Sequence, residues 1–169
     1  SRIVDDLLRD LDDAQALFGS SFNILSHYGV QNQKGGPEDE MRGKIMSKVG
    51  ALKMLCSHPE LLRMSAAKFA QLGGEGSAYA AELMDLKLLD GITRSEKLDY
   101  LVQYVTDFLE QDEANKVVIF ATYIGMLDMI VEKLGEERCV TYSGKMDAKT
   151  REDNKIAFNT RPDIKVIVS

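Results

Sequence analysis

Apolar residues recur at helical spacing through the first half of the chain. Between residues 3 and 18 they fall at Ile3, Leu7, Leu8, Leu11, Ala14, Leu17 and Phe18 with acids between them, a stripe that buries one helix face. The pattern extends through Phe22, Ile24 and Leu25, so the helix can continue there before Gly29 and the polar stretch 31–37, which read as a loop. Pro37 with Glu38, Asp39 and Glu40 opens a second helix, because proline suits the first turn and acids complement the positive end of the dipole. Its stripe is Met41, Ile45, Val49, Leu52 and Cys56, and it ends at His58-Pro59, since the residue before a proline is pushed out of the α region. Residues 61–72 and 77–89 read as two further helices, separated by Gly73-Gly74-Glu75-Gly76.

After Asp90-Gly91 the pattern changes to alternating helix and strand. Thr93 and Ser95 are N-cap candidates for a helix whose face is Leu98, Leu101, Val102, Val105, Phe108 and Leu109. The stretch Lys116-Val-Val-Ile-Phe-Ala-Thr-Tyr123 follows, with no polar side chain from Val117 to Ala121. A strand covered on both faces reads this way, so it is expected to be the central strand of a parallel sheet. A helix through Met126, Leu127, Ile130, Val131 and Leu134 closes at Gly135. Next come a short strand at 139–142, a polar turn at 143–147, and a helix from about Ala148 to Asn159 expected to bury Ile156, Ala157 and Phe158. Pro162 stops that helix, and a last strand spans 165–169. Strands at 116–122, 139–142 and 165–169 joined by helices imply an α/β fold with right-handed crossovers and parallel pairing, preceded by an all-helical segment. The boundary is expected at 90/91. The chain stops at Ile167-Val168-Ser169 with no turn, so a fragment is expected. Its uncovered last strand would pair with further strands or with another copy.

At 169 residues and 44% apolar content the chain can bury a real core. A formal net charge of −6 speaks against the whole surface binding nucleic acid or an acidic membrane, and leaves local patches of the other sign open. Cys56 and Cys139 are the only cysteines and lie in dissimilar contexts, which gives no disulfide framework and fits a reducing compartment. The first residues lack the order of a signal peptide and no apolar run approaches a membrane span. An intracellular protein is expected, nuclear in a eukaryote and cytoplasmic in a bacterium or virus.

Most local signals have an ordinary explanation. The glycines at 73–76 sit between helices with no following Lys-Ser or Lys-Thr, so they are a turn and no phosphate loop. Cys56 and His58 have ligand spacing, but no second pair exists, and no metal site is expected. Met41, Met126 and Met146 fill apolar positions. Glu38-Asp39-Glu40 and Asp12-Asp13 are solvated helix-end acids. In open α/β sheets ligands bind outside the carboxyl ends of the strands, which directs attention to Thr122-Tyr123 and to the 143–147 turn.

Four segments in order resemble the second RecA-like lobe of Swi/Snf-type helicase-like ATPases, superfamily-two motors that translocate on DNA. Leu52-Lys-Met-Leu-Cys-Ser-His-Pro59 resembles the family's helix ending in cysteine, asparagine, histidine, proline. Ser95-Glu-Lys-Leu98 is similar to its serine-x-lysine-leucine helix start, and Lys116 to Tyr123 with Met126-Leu127-Asp128 to its motif IV. Tyr142-Ser143-Gly144 with Arg151, Ile156, Phe158 and Asn159 looks like the motif after the second strand. The resemblance covers residues 52–169; earlier residues share only helical character.

That resemblance implies a partial RecA-like sheet ending at the start of motif V. Its partners would be a first RecA-like lobe and double-stranded DNA, with ATP and magnesium as cofactors of the whole motor. The Walker-type loop, the acidic box and the arginine fingers of the family are not in these residues, so no catalytic residue is expected here and the chain alone is expected to be inactive. By resemblance, Thr122, Ser143 and Gly144 stand where the second lobe touches a DNA backbone, with Lys145, Lys149 and Arg151 supplying charge. Glycine lets a backbone amide approach a phosphate, and a helix starting near Ala148 would aim its positive end there. Residues 145–165 hold six bases against four acids, unlike the acidic remainder. Without the resemblance, these bases are a solvated face and Thr122 and Ser143 are strand-end caps; within the family, the alternative for Arg151 is to hold the loop by hydrogen bonds instead of touching DNA. Two other readings stay open: a stand-alone small-molecule module with its pocket near Thr122, and a scaffold whose first 90 residues dock a partner helix.

Overall fold

A computed structural model describes residues 1–19, 22, 36–73 and 75–169. The chain divides into two compact units, Ser1–Thr93 and Arg94–Ser169.

The first unit is helical: α1 (Arg2–Phe18), α2 (Pro37–Ser57), α3 (Pro59–Leu72) and α4 (Glu75–Asp85). α1 stops at Phe18, because Gly19 takes φ 63 and turns the chain out of the helix. Continuation through Phe22 is therefore corrected, while Ile24 and Leu25 lie outside the described residues. α2 and α3 meet at a corner built by His58, whose Nδ1 accepts the Glu60 amide at 3.1 Å while Pro59 opens α3. The Cys56/His58 spacing thus serves a helix cap, with Cys56 exposed rather than on the buried stripe.

Ile3, Ala51, Leu62, Tyr79, Ala80, Leu83 and Leu89 form the core of this unit. Polar groups are buried with them. The Asp6 carboxylate receives hydrogen bonds from Arg2 and Arg9, each at 2.9 Å, and from the Tyr79 hydroxyl at 3.0 Å. Lys48 Nζ lies 2.7 Å from Asp10 Oδ2 and 4.7 Å from the centre of the Tyr79 ring. The buried face of α2 therefore passes through Ile45, Lys48 and Ala51, because Asp10 of α1 supplies the partner that lets a lysine sit inside. α4 ends at Asp85, short of the expected 89, and turns follow through Gly91 with Lys87 at φ 55. Leu89 reaches the core while Leu86 and Leu88 face outward, a split that helical periodicity does not produce.

The second unit contains α5 (Glu96–Gln111), β1 (Val117–Ile119), α6 (Ile124–Leu134), a 3-10 turn (Glu136–Arg138), β2 (Cys139–Thr141), α7 (Ala148–Thr160) and β3 (Val166–Val168). Ser95 Oγ caps α5 by accepting the Leu98 amide at 3.2 Å, as its position suggests. All strand pairs are parallel, in the order β1-β3-β2. The connection through α6 moves two positions along the sheet and the one through α7 comes back, so right-handed crossovers place α6 and α7 on opposite faces. This is the expected partial RecA-like α/β arrangement of three parallel strands preceded by helices.

Two expectations about the sheet are corrected. β3, not β1, is central: Val166, Ile167 and Val168 are all buried, whereas Val118 is 49% exposed and Phe120 82% exposed. The supposed open edge at 165–169 is paired on both sides, and the sheet edges belong to β1 and β2. An apolar run reports burial of strand faces but is silent about lateral neighbours, which the opposed crossovers decide. The β1–β3 ladder runs one step past its strand, with Ser169 donating to Ile119 O at 2.8 Å and Ala121 donating to Ser169 O at 2.6 Å. On α7, Ala157 and Phe158 are half-buried while Ile156 is exposed, correcting its expected burial.

The residue before each strand is a base that binds backbone carbonyls. Lys116 Nζ donates to Phe158 O and, at 2.7 Å, to Arg161 O at the end of α7. Arg138 Nε donates to Leu134 O at the end of α6, and Lys165 Nζ to Glu113 O after α5. Helix carboxyl ends carry unpaired carbonyls and partial negative charge, so these cations stabilise them and lock each helix against the start of a strand. The bases at the amino edge of the sheet are thus occupied inside the protein. Bases free to meet a ligand are to be sought at the opposite edge.

Candidate nucleic-acid interface

Parallel strands bring the exits of β1, β3 and β2 to one edge. Thr122 follows β1 and is exposed in a bend two residues before α6. Ser143 is half-buried, and Gly144 and Lys145 are exposed in the loop after β2. Because β3 lies between β1 and β2, the two exits stand about 10 Å apart, two interstrand spacings. Ser169, at the end of β3, occupies the gap.

The loop 142–147 is bound at several points. Tyr142 N–H extends the β2–β3 ladder by donating to Val168 O at 2.8 Å, and Met146 N–H closes a turn onto Ser143 O at 3.2 Å. Asp147 caps α7, accepting the Thr150 amide at 2.9 Å and the Thr150 hydroxyl at 2.7 Å. Those two bonds hold the Asp147 carboxyl below the usual carboxylate range, so it is charged at neutral pH. The positive end of α7, expected to face a phosphate, is therefore taken by a carboxylate of the chain itself. The start of α6, next to Thr122, has no side-chain cap.

The charges sort in the same way. Lys155 pairs with Glu152 at 3.0 Å, Arg161 pairs with Asp163, and Lys165 is held by Glu113 O. Arg151 lies on the half-buried side of α7 with its guanidinium 6.0 Å from the centre of the Tyr142 ring, a cation–π placement. Asn154, three residues on, donates from Nδ2 to Thr141 O at 2.8 Å. Among the described residues, Lys145 and Lys149 are exposed with no ion pair. Of the six bases counted at 145–165, these two are the ones with neither a carboxylate nor a carbonyl nor a ring against them.

Sequence reasoning missed Asp147, Tyr142 and Asn154 as site residues. The spacing Asp147-x-x-Thr150 is a legible N-cap signature, and α7 begins directly after it. Nothing in the sequence announces that Asn154 reaches a strand carbonyl.

Residues 96–169 match the family model described as the helicase conserved C-terminal domain. The match supports a helicase-type C-terminal lobe. It covers nearly all of the second unit, and no curated protein or solved structure matches the chain. The described residues bring together no group of three His, Cys, Asp or Glu side chains able to hold a metal ion. No helix of the described residues is long and apolar enough to cross a membrane.

Proposed function

We propose that the chain is part of a Swi/Snf-type DNA translocase of superfamily two, in which the carboxyl edge of the second unit grips the phosphate backbone of duplex DNA. A first RecA-like lobe would complete the motor, with ATP and magnesium between the lobes. The observation that carries this reading is the pair of unpartnered lysines, Lys145 and Lys149, at the carboxyl edge of a parallel sheet within the helicase match.

Thr122 and Ser143 offer hydroxyls to the backbone, Gly144 offers an amide with no Cβ to obstruct approach, and the two lysines supply charge. Hydroxyls, a backbone amide and lysine charge are the groups that contact phosphates, which carry no sequence information, so binding should be indifferent to sequence. Asp147 stands between the lysines along the chain and lowers the local positive potential, which favours a modest, reversible grip.

Fluorescence anisotropy with a short labelled duplex across a salt series tests this. Binding should weaken as salt rises, and Lys145→Ala with Lys149→Ala should flatten the log–log slope by about 2, since each phosphate that a lysine neutralises adds roughly 0.9 to it. An unchanged slope in the double variant would reject the grip. Remodelling and repair differ in partners; for either, DNA-stimulated hydrolysis by the complete motor should fall in the same variant.

A further inference from the structure

The loop that carries Ser143, Gly144 and Lys145 leaves the sheet from an edge strand. In the register Thr141↔Val168, the Tyr142 amide bonds Val168 O, so the backbone groups of Thr141 itself point away from β3 toward the open side of the sheet. An outward carbonyl on an edge strand is normally left to water or to another strand. Here Asn154 takes it: its Nδ2 donates to Thr141 O at 2.8 Å from the second turn of α7. The bond spans the two ends of the loop 142–147, because Thr141 is the residue before it and Asn154 stands one helical turn past its closing cap at Asp147 and Thr150.

We propose that Asn154 is a positioning residue for the phosphate-contacting loop, which it locks by standing in for the missing neighbour of β2. The inference rests on the reading of this edge as a DNA grip for its functional consequence, and on geometry alone for its structural one. The cap at Asp147 fixes where α7 begins, but a helix pivoting about its first turn still sweeps the loop across the sheet. The Asn154 bond removes that pivot. The Arg151 guanidinium against the Tyr142 ring lies on the same side of α7 and adds a second, softer restraint. Asn154 is neutral and half-buried, so it contributes no phosphate charge. Its effect and that of the lysines therefore separate in a salt series.

The test uses the full 169-residue chain, with Asn154→Leu, Asn154→Gln and the Lys145/Lys149 double alanine variant, read by amide hydrogen exchange and by duplex binding. In Asn154→Leu the amides of 143–146 should exchange about tenfold faster while those of β3 stay unchanged, as expected for removing one side-chain to backbone bond. Duplex affinity should drop severalfold with the salt slope unchanged, whereas the lysine variant should lower affinity and slope together, and Asn154→Gln should recover part of both Asn154→Leu effects by keeping an amide donor. Loop exchange equal to wild type in Asn154→Leu would overturn the positioning role. Faster loop exchange with full duplex affinity would overturn its functional consequence. If the wild-type chain binds no duplex, the grip fails, while the exchange result still decides whether Asn154 holds the loop.

Discussion

Replacing Lys116 by Met isolates what one cation does for the second unit. Its Nζ donates to Phe158 O and to Arg161 O at 2.7 Å and lies 5.3 Å from the centre of the Phe158 ring, so it holds the end of α7 against the start of β1. Methionine keeps most of the stem and removes the donors. The bond to Phe158 O is partly buried, and losing a charge-assisted bond there costs about 2 kcal/mol. The exposed bond to Arg161 O adds about 0.5 kcal/mol after solvent screening, and the ring interaction about 0.5 kcal/mol. The sum is about 3 kcal/mol. For a unit of this size that lowers the melting temperature by roughly 12–24 °C. Urea unfolding of the chain, followed through exchange-protected amides of β1 and β3, measures it; Lys149→Met serves as the control for simple loss of a positive charge. The m-value should stay constant because the surface exposed on unfolding barely changes. A Lys116→Met variant within about 0.5 kcal/mol of wild type would refute the claim that pre-strand bases lock the helix ends.

Two further outcomes concern the first unit. Lys48→Met should cost about 3 kcal/mol by leaving Asp10 buried without its partner 2.7 Å away, whereas Lys48→Met with Asp10→Leu should return to within about 1 kcal/mol of wild type; additive losses in that cycle would contradict a buried pair. Burial alone would raise the Asp6 carboxyl, but hydrogen bonds from Arg2 and Tyr79 outweigh it and leave it below its ordinary value. A depressed folded value contributes stability above the unfolded value, near 3.9, and loses it as pH falls through the folded one. Thermal melts should therefore show this contribution intact at neutral pH and lost below about pH 4. Asp6→Asn should remove that acid dependence, and an unaltered acid limb would count against it.

Several parts of the fold were legible because they follow from local chemistry. Pro37, Ser95, Gly135 and the His58-Pro59 corner mark helix ends by backbone rules that need no distant partner, and each stands at such an end. Other parts depended on residues far away in sequence. Lys48 looks like a solvated base until Asp10 is brought beside it, and Leu89 looks helical until the turn at Lys87 redirects it. At the carboxyl edge, sequence named the loops and singled out Lys145, Lys149 and Arg151 from the six bases, but could not show that Arg151 lies against the Tyr142 ring. Only folding shows Lys155, Arg161 and Lys165 taken up internally and Lys145 and Lys149 left over.

By itself, the order of apolar and polar residues determined an all-helical stretch followed by alternating helix and strand, because burial periodicity and caps act within a few residues. Which strand lies in the middle was decided by tertiary structure. The three strands are all short and apolar, and only helices crossing on opposite faces bring β3 between the other two. The same is true of the site: a capping carboxylate, a ring and an amide thirteen residues from its carbonyl acquire their roles when α7 packs back on β2.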